Sequence, residues 1–292
     1  MVFSNNFYDM FIDVTSILIV LFSTGGLAFF SPQIHLNLFL LSFLFSTFLI
    51  SIHHRYFAHA SFKTTFSIDL IIFIITSAYV PIANLLIFVY WPIHHKSHHA
   101  HSDTSKDLHS PYHTSSLSVI FSLPWLLKCI YTTPNYISPS GTNFKHLSWL
   151  NLPIHFGLLF LLVANGYFSY WFYGLASPFI CASVAMGLTN WCSHVIGSRP
   201  FQQYCDDYST NQWVTFFINF GENFHNNHHA FPRSARHGLA MWEVDVTWYI
   251  LRALSEIGLV WDLYVVSDDA QKTRWTEKRV SIKKQYDVIC QR

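Results

Sequence analysis

Histidine is the residue type whose number and spacing stand out in this chain of 292 residues, which contains 18 of them. Eight of these histidines lie in three short clusters that long stretches of sequence separate. The clusters are His54-Arg-Tyr-Phe-Ala-His59, His95-Lys-Ser-His98-His99 and His225-Asn-Asn-His228-His229. Imidazole nitrogen is a good ligand for iron, zinc, copper and nickel. The clusters therefore predict a metal site to which three distant parts of the chain contribute.

The spacing inside the second and third clusters suits a helix. Each residue turns an α-helix by about 100°, so the imidazoles of an HxxHH pattern point at about 0°, 300° and 40°. One helix is then expected to offer three nitrogens to one locus. His54 and His59 are five positions apart, a turn of about 140°. They converge only if the helix ends or distorts between them.

A ninth histidine, His194, follows Asn190 by four residues, so the two share one face of a predicted helix. Nine imidazoles exceed the roughly four to six ligands that one transition metal takes, and the natural inference is two metals. Imidazole ligands alone do not identify which metal is bound. A ligating histidine is oriented by a partner on its other ring nitrogen. Three carboxylates near the clusters are expected to serve in this way: Asp103, Asp107 and Glu222.

The other histidines are expected to lie outside the ligand set. Five flank the clusters as neighbours of the ligands or as surface groups: His53, His94, His101, His109 and His113. Four more are expected to be polar or interface residues: His35, His146, His155 and His237. His237, for example, is expected to be dispensable for function.

The composition argues against a soluble protein. Only 11% of the residues are charged, whereas a typical soluble domain has about 25%, and 51% are hydrophobic. The net charge of +1 makes nucleic acid a poor candidate partner. The five cysteines form no CxxC pair and indicate neither a disulfide framework nor a thiolate metal site.

Membrane helices are the elements that must position these histidines. No Lys or Arg occurs before Arg55 or between Lys145 and Arg199, and each gap holds two uncharged apolar runs. Each run is close to the roughly 20 residues that cross a bilayer. We predict spans over residues 14–30, 36–52, 147–164 and 167–188. These spans form two hairpins, with turns at residues 31–35 and 165–166.

The basic residues lie at the other ends of both hairpins. The positive-inside rule therefore places residues 54–146 and 195–292 in the cytoplasm, where they form a helical cap. The apolar run 70–93 is interrupted by Pro81 and Asn84 and has a lysine on each flank. A re-entrant or interfacial pair of short helices is predicted there, which returns to the side that it left. The predicted fold is an all-α integral membrane protein of four transmembrane helices, whose cytoplasmic cap carries the histidine-rich site.

Longer motifs surround the three clusters. Residues 54–62 read HRYFAHASF, residues 95–111 read HKSHHAHSDTSKDLHSP, and residues 221–236 read GENFHNNHHAFPRSAR. They are similar to HRxxxHxSF, HRxHHxxSDTxxDxHSP and GEGxHNNHHAFPxSAR of the membrane fatty acid desaturases. The chain resembles the acyl-CoA delta-9, or stearoyl-CoA, branch of that family over about residues 40–264.

The resemblance implies one desaturase domain over residues 1–292, in which the nine histidines bind two irons and Asn190 holds a metal-bound water. It implies that O2 is consumed while a cis double bond, at delta-9 in this branch, enters a saturated acyl chain. Acyl-CoA is the expected substrate, with acyl-lipid and acyl-carrier-protein substrates left open. The sequence has no cytochrome b5 HPGG motif and no ferredoxin-like cysteine set, so a separate electron donor such as cytochrome b5 or ferredoxin is expected. The expected location is a bacterial inner membrane or the endoplasmic reticulum.

Two other functions fit part of the pattern. A similar diiron centre inserts oxygen in lipid hydroxylases and ketolases, and only the product distinguishes these enzymes from a desaturase. A histidine-rich metal transporter would place its ligands near the middle of the membrane, whereas these clusters lie at the ends of the predicted spans.

Overall fold

The computed structural model describes residues 32–79, 91–121, 139, 150–203 and 206–275, which are mostly helical. The helices are α1 Pro32–His53, α2 Phe66–Tyr79, α3 Trp91–His101, α4 Ser116–Phe121, α5 Asn151–Ala164, α6 Phe168–Trp171, α7 Ser177–Val195, α8 His225–Ala230, α9 Val246–Glu256 and α10 Asp268–Arg274. Strands β1 Lys63–Thr64 and β2 Val260–Trp261 pair antiparallel, with Lys63 opposite Trp261. The predicted span 14–30 lies outside the described residues.

Two helices of the described ranges are long and apolar enough to cross a membrane. One is His35–Ala58, in which α1 continues into a π-helical turn. The other is Phe168–Val195, in which the π-helical segment Phe172–Ala176 joins α6 to α7. The two helices pack against each other. Leu41 on α1 is 70% exposed, as expected of a side chain that faces lipid.

The helix bounds correct two of the sequence-based boundaries. The polar turn expected at residues 31–35 is not observed from Pro32 onward, because α1 begins at that proline, a residue favoured in the first helical turn. The span expected to end at residue 188 continues as helix to Val195. Its last turns carry polar side chains such as Asn190 and Ser193, which are buried against other parts of the protein. The helix therefore extends past the apolar run.

The second predicted hairpin is described in part. α5 and α6 are joined by a turn at residues 165–167, where the backbone φ of Gly166 is +77°. α5 has 14 residues, a length of about 21 Å, whereas a bilayer core is about 30 Å thick. Residues 147–149 of the predicted span lie outside the described ranges. The arrangement of four spans in two hairpins thus stays a prediction.

The interrupted run 70–93 is described only at its two ends, by α2 and by the start of α3. His95 on α3 nevertheless places its Nε2 2.8 Å from Nε2 of His54, which follows α1 directly. The chain that leaves α1 therefore returns to the same place at α3. A re-entrant segment would have this effect.

A buried apolar cluster supports the region behind the first histidine pair. It includes Tyr56, Phe57, Phe62 and Leu251, each no more than 3% exposed. The β1–β2 pair and a hydrogen bond from the Tyr264 amide to the Ser61 carbonyl tie this region to the segment after α9. α1, α9 and the strand pair thus hold the first cluster in place.

Labelling of single cysteines tests the predicted topology. On a cysteine-free background, Lys63→Cys, Ser105→Cys and Ser267→Cys are expected to react with a membrane-impermeant maleimide from the cytoplasmic side only, because all three positions are exposed. Asn165→Cys, in the turn between α5 and α6, should react from the opposite side only. Ser61 is fully buried and is unsuitable as a labelling site. Labelling of positions 63 and 105 from opposite sides would refute the prediction that the histidine clusters lie on one face of the membrane.

Candidate metal centre

The nine histidines predicted as ligands lie together in two groups. The first group comprises His54, His59, His95, His99 and His228, and the second comprises His98, His194, His225 and His229. Within each group, one ring nitrogen of every member lies within 4.8 Å of those of all the others. This is the spacing at which one ion can be bound by all members of a group.

Each HxxHH cluster is divided between the two groups, whereas the spacing was expected to direct all three imidazoles to one locus. On α3, His95 and His99 belong to the first group and His98 to the second. On α8 the assignment is reversed: His228 belongs to the first group, whereas His225 and His229 belong to the second. Residues four apart differ by about 40° around a helix, whereas the third histidine lies about 60° to the other side. Each helix therefore serves both groups.

A π-helical turn brings the two histidines of the first cluster together. It covers His54–Ala58, and its wider turn places residues five apart on the same face. The Nε2 atoms of His54 and His59 are 3.2 Å apart as a result. The expected distortion between these two histidines is confirmed.

The inward-facing nitrogens fit a metal ion better than they fit each other. The Nε2 of His54 lies 2.8 Å from that of His95 and 3.0 Å from that of His228. The Nε2 atoms of His98 and His229 are buried and have no hydrogen-bond partner in the described part of the chain. Each unpaired buried nitrogen costs about 1–3 kcal/mol. A transition metal in each group would satisfy these atoms, and imidazole is a suitable donor for it.

Carboxylates orient four of the nine rings through Nδ1. The pairs are His54–Glu222, His98–Asp107 at 2.8 Å, His194–Asp103 at 2.7 Å and His229–Asp207 at 2.7 Å. A proton on Nδ1 that is donated to a carboxylate leaves the lone pair of Nε2 free to face the centre. Three of these carboxylates are the ones expected from the sequence.

The electrostatics of the site favour neutral imidazoles at the rings without a carboxylate partner, whereas burial is outweighed at His194, whose pKa is raised by Asp103 and two other nearby aspartates. Burial, and after it the nearby ring of His54, holds the pKa of His95 well below its usual value. Burial and the ring of His229 do the same to the pKa of His99. Burial alone would raise the pKa of Asp107, but the interaction with His98 and the hydrogen bonds from the Asp103 and His109 amides together outweigh burial and lower that pKa. Neutral imidazoles beside ionised carboxylates are the form in which histidine binds metal.

A buried arginine holds the carboxylate behind His54. Arg55 is fully buried and donates from Nε and Nη2 to Glu222 Oε1, at 3.2 Å in both cases. Its Nη1 and Nη2 donate to the two oxygens of Asp245 at 2.9 Å. At Gly221, where φ is +110°, a Cβ would lie 2.5 Å from Asp245 Oδ1, so only glycine permits this approach.

Asparagine side chains hold α8, which has only six residues and is too short to be stable alone. The Oδ1 of Asn226 accepts a hydrogen bond from the Phe201 amide at 2.8 Å. The Nδ2 of Asn227 donates to the His237 carbonyl at 2.8 Å and to Glu243 Oε2 at 2.7 Å. The two asparagines between the histidines of the third cluster thus fix the helix that presents them.

Asn190 and His237 complete the surroundings of the site. Asn190 lies one turn before His194 on α7, and its Nδ2 donates to the His109 carbonyl at 3.0 Å. Its role through a metal-bound water stays a prediction. His237, expected to lie outside the ligand set and to be dispensable, is 1% exposed and its ring centroid is 4.6 Å from that of His228. It therefore lies against a predicted ligand rather than at the surface.

Asp207 is a site residue that the sequence did not indicate. It lies in the loop between α7 and α8 and accepts from His229, which is 22 residues away, so no helical spacing links the two. The Ser209 amide donates to its other oxygen at 2.8 Å. The only signal in the sequence is a pair of neighbouring aspartates, residues 206 and 207, in a chain with few charges.

The substitution Asp207→Asn is expected to lower metal affinity and activity about 10–100-fold, because the ring of His229 loses its orienting carboxylate. The matched control is Asp206→Asn, since the side chain of Asp206 is exposed. Bound metal per chain is measured after dialysis against graded chelator. Equal retention of metal by the two variants would count against the role of Asp207.

Comparison with known proteins relates the sequence of this chain to one protein family. A sequence model of the family described as fatty acid desaturase matches residues 32–264. The chain is 32% identical over 191 residues to delta-9 acyl-lipid desaturase 1 of Arabidopsis thaliana. It is 33% identical over 190 residues to acyl-CoA C20 delta5-desaturase of Anemone leveillei, and 34% identical over 184 residues to sn-1 stearoyl-lipid 9-desaturase of Anabaena variabilis.

These alignments cover 62%, 62% and 58% of this chain, in the same order. They cover 60%, 58% and 62% of the relatives. The chain thus spans about three fifths of the length of these relatives. Every residue of the two histidine groups lies inside the matched range 32–264.

Proposed function

The chain belongs to the fatty acid desaturase family, and from that premise we propose that it introduces a cis double bond into a saturated acyl chain at an iron centre held by its nine histidines. The observation that carries the proposal is the division of these histidines into two groups of closely spaced nitrogens. Two irons bound there would supply the reduction of O2, a reaction that no side chain can perform. The side chains of the protein would hold, orient and shield the irons.

The proposed reaction is balanced with two external electrons. The acyl chain gives up two hydrogens from adjacent carbons, and a donor protein supplies two electrons while two protons come from solvent. O2 is then reduced to two waters. We propose a separate donor, cytochrome b5 or a ferredoxin, acting from the cytoplasmic side.

The side chains orient and shield the centre. The carboxylates of Asp103, Asp107 and Asp207 hold protons on Nδ1 of their histidine partners, so that each Nε2 faces inward. Burial of the site excludes bulk water, which would otherwise compete for the metals. His54 and His194 lie at the ends of the two apolar helices rather than at their middles. An acyl chain can therefore enter from the membrane while its polar head stays in water.

We propose delta-9 regiochemistry and an acyl-CoA substrate. Two of the three relatives named above carry position 9 in their names and one carries position 5. One is named for acyl-CoA and two for lipid-linked chains. The delta-9 proposal rests on the position numbers in these names. The acyl-CoA proposal rests on the similarity of the residues around the three histidine clusters to the motifs of the acyl-CoA branch. We further propose a single domain over residues 1–292, in a bacterial inner membrane or the endoplasmic reticulum.

Product analysis tests the function directly. The chain is expressed in a host without an oxygen-dependent desaturase, and the double bond in its fatty acids is located by mass spectrometry after derivatisation. A new cis double bond at position 9, absent with His98→Ala, is the expected result. A hydroxylated or keto product would refute desaturation in favour of oxygen insertion. Protein in nanodiscs, given either stearoyl-CoA or a stearoyl phospholipid with a donor, then distinguishes the two substrate classes.

A further inference from the structure

The outer nitrogen of His228 lacks the partner that other rings of the site have. The Nε2 of His228 faces the first group, 3.0 Å from that of His54 and 2.9 Å from that of His99. Its Nδ1 is buried and without a hydrogen-bond partner in the described residues. An imidazole that binds metal through Nε2 carries its proton on Nδ1. In a buried site that N–H needs an acceptor.

The ring of His237 lies beside that of His228. The two ring centroids are 4.6 Å apart with an interplanar angle of 39°. Both ring nitrogens of His237 are also buried without a hydrogen-bond partner in the described ranges. Its Nδ1 is 3.6 Å from Oε2 of Glu222, the same oxygen that is bound by His54. Three buried nitrogens on two neighbouring rings therefore lack partners, which is rare in proteins and calls for an explanation.

The backbone of His237 is held firmly. Its amide donates to Asp245 Oδ2 at 2.6 Å, and its carbonyl accepts from Asn227 Nδ2 at 2.8 Å. Asp245 also pairs with Arg55, and Asn227 lies within α8. The position of the His237 ring is thus set by the same residues that set the third cluster and the carboxylate behind His54.

The two groups also differ in their carboxylates. Among the described residues, Glu222 is paired with one of the five histidines in the first group, whereas Asp103, Asp107 and Asp207 are paired with three of the four in the second. The first group therefore has fewer carboxylate acceptors than the second, and the ring of His237, beside that of His228, offers a nitrogen in their place.

We propose that His237 is a positioning residue for the first group. Its ring accepts the Nδ1 proton of His228 through a bridging water and directs its own N–H towards Glu222. It thereby links His228 to the carboxylate that orients His54. The inference rests on the proposed function, because it presumes a metal on the inner nitrogens. His237 itself does not bind the metal.

The test compares His237→Phe, which keeps a ring but removes both nitrogens, with His237→Gln, which keeps an acceptor. The matched control is His101→Gln, because His101 hydrogen-bonds the backbone of its own helix at Ser97. Each protein is loaded with ⁵⁷Fe, and iron per chain, chelator competition and the Mössbauer spectrum are recorded. His237→Phe is expected to hold iron about 10–100-fold more weakly and to shift the quadrupole splitting of one of the two sites. His237→Gln should recover most of the affinity.

An unchanged affinity and spectrum in His237→Phe would overturn the proposal. So would a fall in saturating stoichiometry from two irons to one, since that would make His237 a ligand. If His237→Phe does not fold, His237→Leu, which also removes both nitrogens, replaces it: a quadrupole splitting that shifts in His237→Leu and returns towards the wild-type value in His237→Gln supports the proposal, and an unshifted splitting in His237→Leu overturns it. Wild-type protein that binds no pair of irons would instead reject the proposed function.

Discussion

Replacing His194 with alanine is expected to reduce bound iron from the proposed two ions per chain to about one and to abolish the proposed desaturation. His194 is one of four histidines in the second group, and its Nε2 lies 3.2 Å from that of His225. Alanine removes one nitrogen and leaves the buried Asp103 without its histidine partner. The first group keeps all five of its histidines, so one iron should remain. Iron is measured by elemental analysis of purified protein, and activity by product analysis.

The control for this substitution is His101→Ala. His101 lies on α3 beside the second cluster but belongs to neither group. It should keep both irons and full activity. A His194→Ala protein that remains fully active with two irons would show that the site consists of the three clusters alone.

Replacing Arg55 with leucine is expected to destabilise the protein by about 3–5 kcal/mol, because it leaves two buried carboxylates without their cation. Glu222 and Asp245 are 2% and 1% exposed, so water cannot compensate either charge. The midpoint of thermal unfolding in detergent should fall by about 10 °C. Iron loading should fall as well, since Glu222 orients His54.

Two further variants test whether the positive charge of Arg55 or its forked hydrogen-bond geometry is responsible for the effect. Arg55→Lys keeps the charge but cannot donate to both carboxylates in the same forked arrangement, so it should recover only part of the loss. Arg252→Leu, at an exposed position of α9, serves as the surface control and should be close to wild type. A similar melting temperature for Arg55→Leu and Arg252→Leu would contradict the role given to the buried ion pairs.

The membrane elements were only partly predictable. Composition and charge segregation indicate apolar helices, and α1 and α7 lie where two of the predicted spans were placed. The ends of these helices were less accurate, because Pro32 is compatible with a helix start and the polar end of α7 is buried by residues distant in sequence. Which face of the membrane each turn occupies depends on the bilayer, and labelling is required to decide it.

The sequence by itself predicted the nine histidines that the structure brings together in two groups, because helical periodicity is a local property. The HxxHH spacing projects three imidazoles from one side of α3 and of α8, and the five-residue spacing of His54 and His59 required the distortion that the π-helical turn provides. Only the tertiary structure decided how these rings are shared between two groups and which partners orient them. His54 meets His95 across 41 residues and His228 across 174, and Asp207 and His237 reach the site from loops without periodicity. The reason is physical: spacing along a helix sets the direction of a side chain, whereas its partners depend on how helices and loops pack together.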